Sequence, residues 1–316
     1  MLAAMLSPTA QKTLAGVRAL RIQGAENVAR ACVDALALHA QASKARTREA
    51  FLEDLAAGVK ELWAARPTEP ALRNALRYLF VRARANPATS VGELKKVVAD
   101  EAKGYRSRTA RVKEGIARYG ARLVPKDASV LVHCHSSTLM RVLKRAHDEG
   151  RSPRVFCTES RPLYQGHVTA RELSSYGLKV TMFVDGAAHL VLSRMRDTDL
   201  VMVGADAVTA QGDLVNKVGT AMVAHAAYDH EKRFYSCTAS HKFDPQTLFG
   251  WEEPIEERAP GEVADPKEFK GVKLFNPAFD LTPAKLITAY VTELGVLPPQ
   301  SLVSRALEKL GAEEGA

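Results

Sequence analysis

Cysteine is scarce in this chain, with four in 316 residues. Cys32, Cys134, Cys157 and Cys237 include no C-x-x-C pair, which argues against a thiolate zinc site or a dithiol redox motif. Long apolar runs are missing as well. No stretch approaches the ~20 residues of a membrane-spanning helix, so no membrane partner is expected. The opening residues, Met1 to Pro8, lack the cationic and long apolar segments of a secretory signal, and the expected location is cytoplasmic. Internal repeats and low-complexity segments are also absent.

What remains has the make-up of a folded enzyme-sized chain. Hydrophobic residues are 46% and charged residues 25%, and the length suits one or two domains with a large core. The formal net charge is +8. Such an excess attracts either nucleic acid or a phosphorylated small molecule. Much of it lies between Lys95 and Lys126, where aromatic interleaving is sparse and no RNA-binding signature occurs. A solvated helical face accounts for most of these residues, and nucleic acid is not the expected partner.

The first part of the chain carries helical periodicity throughout. Val28, Cys32 and Leu36 recur at four-residue spacing, and Phe51, Leu55, Val59 and Leu62 at spacings of four, four and three. Leu72, Leu76, Leu79 and Phe80 repeat the stripe after Pro67 and Pro70. Val91, Leu94, Val97 and Val98 begin another long helix. The texture changes after Pro125. Strands are expected at Ser129–His133, Arg154–Thr158, Lys179–Val184, Leu200–Val203 and Phe234–Thr238. Helices are expected at Thr138–Glu149, Thr169–Tyr176, Gly186–Arg194 and Lys217–His230. This alternation predicts α/β architecture with a parallel sheet under helices. The expected division is 1–122, helical, and 123–316, α/β. Trp251 to Lys270 reads as an irregular loop. The tail from Phe275 to Pro299, with a helix within it, is expected to pack across the sheet or onto another subunit.

Ligands of parallel sheets gather beyond the carboxyl ends of the strands. Here each predicted strand runs into small or polar residues. Cys134 follows the first, between His133 and His135, at what reads as a helix N-terminus. Amide dipoles and a histidinium there would favour the thiolate, while a buried structural thiol is the plainer reading. Ser136 and Ser137 form a turn suited to a phosphate. Asp206 follows Gly204 and Ala205, and serves as an acid if burial raises its pKa or as an ordinary turn residue if not. Asn216 and Lys217 are read as starting a helix, where they could bind a sugar hydroxyl and a phosphate. Gln165 precedes Gly166, which permits close backbone approach to a ligand. Arg161 could tie its loop to a carboxylate. Lys242 is a second cation for a phosphate, or a solvated lysine. His133 and His135 point to opposite faces, and no third ligand has metal-site spacing.

Taken in order, Arg21-Ile-Gln-Gly-Ala25, His-Cys-His-Ser, Arg-Pro-Leu-Tyr-Gln-Gly, Thr-Ala-Arg-Glu-Leu, Gly-Ala-Asp, Asn-Lys-Val-Gly-Thr and Asn-Pro-Ala-Phe-Asp carry a resemblance over most of the chain. The set resembles the family that unites ribose-1,5-bisphosphate isomerase, methylthioribose-1-phosphate isomerase and the alpha, beta and delta subunits of initiation factor 2B. The resemblance implies a helical N-terminal domain followed by a Rossmann-like domain, assembled as a dimer or as a hexamer built from three dimers. The family's enzymes use a Cys and an Asp, which fall on Cys134 and Asp206, and its regulatory subunits generally lack the pair. The implied activity is conversion of ribose 1,5-bisphosphate to ribulose 1,5-bisphosphate in AMP salvage, through a phosphoenolate and without a cofactor. The alternatives are isomerisation of methylthioribose 1-phosphate and a non-catalytic regulatory role. AMP as an activator is left open.

The implied substrate-binding set starts with Gln23, Gly24, Ala25 and Glu26. The family loop usually reads Arg-Gly-Ala-Gly there, so this chain loses a cation and gains a carboxylate. Arg66, Ser136, Ser137 and Thr138 follow, then Gln165, Asn216, Lys217 and Lys242.

Overall fold

The computed structural model describes residues 6–19, 21–22, 24–66, 69–251 and 255–314. Two compact units emerge, Met1–Arg111 with Leu307–Ala316, and Val112–Ala306. No described helix is long and apolar enough to cross a membrane.

The first unit is helical: α1 (Pro8–Arg18), α2 (Ala25–Ala42), α3 (Arg48–Trp63), α4 (Pro70–Ala85) and the start of α5 (Val91–Leu123). Local signals set the helix starts. Pro8 and Pro70 occupy first-turn positions, where no intrahelical N–H is needed. The Thr47 side chain accepts the Ala50 N–H and caps α3. The stripes Val28/Cys32/Leu36, Phe51/Leu55/Leu62 and Leu72/Leu76/Leu79 are buried together. Helix α5 supplies Leu94 and Val98 to this core and Ile116 and Ala121 to the next. The packing therefore divides within the helix. The change in sequence texture near 122 marks where the helix stops instead.

The second unit is built on a seven-stranded sheet. Its strands are β1 (Ser129–His133), β2 (Arg154–Thr158), β3 (Lys179–Phe183), β4 (Leu200–Val203), β7 (Arg233–Cys237), β9 (Ala289–Thr292) and β10 (Gly295–Leu297), in the order β10-β9-β7-β4-β1-β2-β3. All pair in parallel except β10, which runs antiparallel to β9. Side chains of successive strand residues go to opposite faces. Val130, Val132, Leu200 and Met202 join one core, with Leu139 and Leu143 of α6 (Ser137–Asp148). Leu131, Val201 and Val203 join the other, with Leu192 of α8 (Ala188–Ser193) and Val223 of α9 (Thr220–Asp229). Both faces of the sheet are thus covered, and the arrangement is Rossmann-like. The chain moves from β1 outward to β2 and β3, then returns to β4 on the other side of β1. The order reverses at the β1–β4 boundary, which opens a crevice there.

Two sequence expectations are corrected. Lys217–His230 is not one helix. Leu214–Lys217 forms β6, and α9 begins at Thr220. Strand β6 lies between β5 (Ala207–Val208) and β8 (Phe279–Thr282) in a small antiparallel sheet. The tail does not contain the expected α-helix, since residues 279–297 supply β8, a short 3-10 turn at Ala284–Leu286, β9 and β10. It extends the main sheet beyond β7.

Candidate active site

The carboxyl end of β1 places the thiol. After His133 the backbone turns into the left-handed region at Cys134, with φ 68°. Its N–H donates to Ser160 Oγ at 2.8 Å, and its carbonyl accepts from Thr169 Oγ1 at 3.1 Å. Ser160 belongs to the loop after β2, and Thr169 to α7 (Gln165–Ser175). The Ser160 and Arg161 N–H groups donate to Asp185 at 2.8 and 2.7 Å, which anchors that loop. Of the four cysteines, Cys134 is partly exposed and the other three are buried.

Asp206 leaves the end of β4, beside β1. Its N–H donates to the Val215 carbonyl at 2.9 Å, tying it to β6. Lys217 ends β6 and is buried, with its ammonium 5.2 Å from the centre of the Phe279 ring. These groups bear on the thiol. Burial pushes Cys134 up to about 11, the Lys217 cation works against this, and the Asp206 and Asp185 carboxylates add to it. Helix α6 begins only at Ser137, beyond the thiol, and burial lowers the pKa of both His133 and His135; the cation that favours the thiolate is Lys217.

The serine turn has a structural use in the helix it precedes. The Ser136 side chain accepts the Leu139 N–H at 3.3 Å and caps α6. It fits closely against Gly204, where an added Cβ would come within 2.9 Å of Ser136 Cβ and Oγ. Ser137 Oγ accepts from Lys113 Nζ at 3.2 Å, and Thr138 is buried in the first turn. Asn216 approaches the same place, since its Oδ1 would lie 3.9 Å from that Cβ on Gly204, and its Nδ2 donates to Thr220 Oγ1 at 3.0 Å. Cys134, Ser136, Gly204, Asp206, Asn216 and Lys217 thus converge on the β1–β4 crevice.

Lys242 Nζ donates to the Ala205 carbonyl, so this lysine braces the turn that carries Asp206. Gln165 opens α7 with its Oε1 buried and lacking a hydrogen-bond partner. Gly166 serves a backbone contact rather than a ligand: a Cβ there would sit 1.8 Å from the Thr158 carbonyl oxygen. Arg161 ties its loop down through Nη2 to the Val263 carbonyl at 2.8 Å. Gly24, with φ 83°, precedes α2, Ala25 begins it and Glu26 lies in its first turn. Arg66 is buried and pairs with Glu69 at 2.8 Å. These four belong to the helical unit, and Gln23 lies outside the described residues.

Sequence reasoning did not single out Asp280, Ser160, Thr169 or Asp185. Asp280 lies opposite Asn216 on β8 and accepts from the Gly219 N–H at 2.6 Å and the Ala221 N–H at 3.2 Å, capping α9. Burial pushes its carboxyl up to about 6. Its signal was present in Asn-Pro-Ala-Phe-Asp, but only the β6–β8 pairing shows what it faces.

Residues 21–299 match the initiation factor 2 subunit family. A ribose 1,5-bisphosphate isomerase of Pyrococcus furiosus is 36% identical over 301 residues, covering 93% of this chain and 92% of that protein. A methylthioribose-1-phosphate isomerase of Desulforamulus reducens is 37% identical over 297 residues, covering 90% of this chain and 86% of its own. The crystal structure of translation initiation factor eIF-2B from Pyrococcus horikoshii OT3 superposes with a TM-score of 0.79 at 25% identity, covering 93% of this chain and 98% of that one. The chain belongs to the initiation factor 2 subunit family.

Proposed function

We propose that this protein is an aldose–ketose isomerase that converts ribose 1,5-bisphosphate to ribulose 1,5-bisphosphate. The observation that carries the reading is the placement of Cys134 and Asp206 at the ends of two adjacent parallel strands, close enough for the carboxylate to act on the thiol. The likeness to the Pyrococcus furiosus isomerase supports the choice of substrate.

The chemistry requires a base at C2 and an acid at the ring oxygen. In the reacting arrangement Cys134 is the thiolate and Asp206 the neutral acid. Each favours the other, because a neutral Asp206 no longer opposes the thiolate and Lys217 supports it. The thiolate takes the C2 proton. The C2–H electrons form the C1–C2 double bond, the C1–ring oxygen bond breaks, and Asp206 protonates the departing oxygen. The Asp206 carboxylate then accepts the C2 hydroxyl proton as the thiol returns its own to C1. The product is a 1-phospho-ketose, and both side chains regain their starting forms. Lys217 and Asn216 would hold a phosphate and a hydroxyl beside the reacting carbons, and the unpartnered Gln165 Oε1 supplies an acceptor.

The same reading assigns a place in AMP salvage and a homo-oligomer, either a dimer or a trimer of dimers. Its test is incubation with ribose 1,5-bisphosphate, with and without AMP, and in parallel with methylthioribose 1-phosphate. Formation of ribulose 1,5-bisphosphate supports it. Turnover of the methylthio sugar alone would move the assignment to that substrate. Inertness toward both, with co-purification of translation factor 2, would overturn the enzymatic reading.

A further inference from the structure

Both histidines that flank Cys134 reach back to its own peptide groups through hydroxyls. His133 Nε2 lies 2.9 Å from the Val218 carbonyl and Nδ1 lies 2.7 Å from Thr158 Oγ1. A carbonyl cannot donate, so in the neutral ring Nε2 carries the proton and Nδ1 accepts from the threonine hydroxyl. Thr158 Oγ1 is 3.1 Å from Ser160 Oγ and, with its own proton committed, accepts the Ser160 proton. With its own proton given to Thr158, Ser160 Oγ accepts the Cys134 N–H. Every member of this chain is buried or part of the loop it anchors, and its direction is fixed from end to end.

The second chain starts at the Cys134 carbonyl. Thr169 Oγ1 donates to it, and with the proton of the ring on Nδ1, His135, 3.1 Å away, donates to the threonine oxygen while its Nε2 lies 3.7 Å from Glu172 Oε2. Thr158, Ser160 and Thr169 are all 0% exposed, which removes water as a competing partner. A non-glycine residue in the left-handed region carries a local cost, and it persists where surrounding contacts over-determine it. Here both peptide groups of Cys134 are gripped.

We infer that Ser160 and Thr169 are positioning residues for Cys134, oriented by His133 and His135, and that the two hydroxyl relays hold the thiol toward Asp206. The flanking imidazole rings therefore act on the backbone of the cysteine, while the sulfur is favoured as thiolate by the backbone N–H of His135. This inference rests on the isomerase reading for its consequence in turnover, but not for its consequence in thiol chemistry.

The test uses Thr169→Val, which removes the hydroxyl at nearly constant shape, Thr169→Ser, which restores it, and Ser160→Ala at the other grip. Two readouts are taken with the full chain: iodoacetamide alkylation of Cys134 at pH 8, followed on its peptide by mass spectrometry, and the kcat and KM for ribose 1,5-bisphosphate. With the grip released the thiol moves toward water, and alkylation in Thr169→Val rises on the order of tenfold. Misplacement of the base lowers kcat on the order of a hundredfold, with KM held within about twofold. Thr169→Ser returns both to near the wild-type values. Ser160→Ala behaves like Thr169→Val and decides the matter should the valine variant fail to fold. Wild-type alkylation and kcat in both hydroxyl deletions, or a serine variant as impaired as the valine one, would overturn the inference. If the wild-type protein turns over no sugar phosphate, the isomerase reading fails, and alkylation alone still decides the clamp.

Discussion

His133 and Val203 are register partners across the ladder between β1 and β4. Both strands run the same way, so the chain leaves them at the same level, through Cys134 on one side and Gly204-Ala205-Asp206 on the other. The sheet order reverses at this boundary, which is where a crevice forms in an open parallel sheet. A thiol and a carboxyl from positions 72 residues apart, 134 and 206, are thereby set to share one environment.

That shared environment predicts opposite effects of two substitutions on the free thiol. Asp206→Asn removes a charge that opposes the thiolate, and Lys217→Met removes one that favours it. At pH 8, iodoacetamide should therefore modify Cys134 faster in Asp206→Asn and slower in Lys217→Met than in the wild type. Each change is on the order of a few-fold to tenfold. The three buried cysteines provide an unreactive internal control.

The pH dependence of turnover follows from proton counting. Thiolate with neutral acid holds one proton, as does thiol with carboxylate, so pH does not interconvert the two. The wild-type rate should be flat through the neutral range. Asp206→Asn lacks the second site, and its residual rate should climb about tenfold per pH unit until the thiol titrates. That titration lies near 11 in the native site and lower once the carboxylate is gone. A rate profile measured from pH 6 to 10 for both proteins checks this.

Asp280 gives a stability prediction with a definite sign. Its carboxyl titrates at about 6 in the fold, above the ordinary value of 3.8. Folding therefore takes up a proton between those values, and the group's contribution to stability falls as pH rises from about 4 to about 6. Thermal melts across that range should show wild type losing ground relative to Asp280→Asn, with no further change above it.

Gly166→Ala tests the seating of α7. The Cβ would lie 1.8 Å from the Thr158 carbonyl, which cannot yield without moving the end of β2. A loss of about 3 kcal/mol or more is expected in chemical denaturation. Gly186→Ala, where nothing lies within 4 Å, should melt like the wild type.

The strands nearest the site were legible in the sequence because they are buried on both faces. Val130-Leu-Val132 and Leu200-Val-Met-Val203 are unbroken apolar runs with polar residues at the carboxyl end, a pattern that needs no partner to be recognised. Leu214-Val-Asn-Lys217 was not legible as a strand. It is four residues long, it adjoins the helix-like Val218 to His230, and its partner β8 lies more than sixty residues downstream. The buried Ala289–Thr292 strand failed for the same reason, since a short apolar run has no period of its own. Cys134 and Asp206 each end a predicted strand, and it was the family resemblance that implied their pairing. The hydroxyls that grip Cys134 were not legible, since serine and threonine carry no signal until the fold brings them to a peptide group.

The most direct measurement is the conversion of ribose 1,5-bisphosphate followed by phosphorus NMR, with wild-type, Cys134→Ser and Asp206→Asn proteins of equal thermal stability. The expected result is ribulose 1,5-bisphosphate from the wild type and a loss on the order of a thousandfold in each variant. Turnover by either variant at the wild-type rate would contradict the assignment of Cys134 and Asp206 as the acid–base pair.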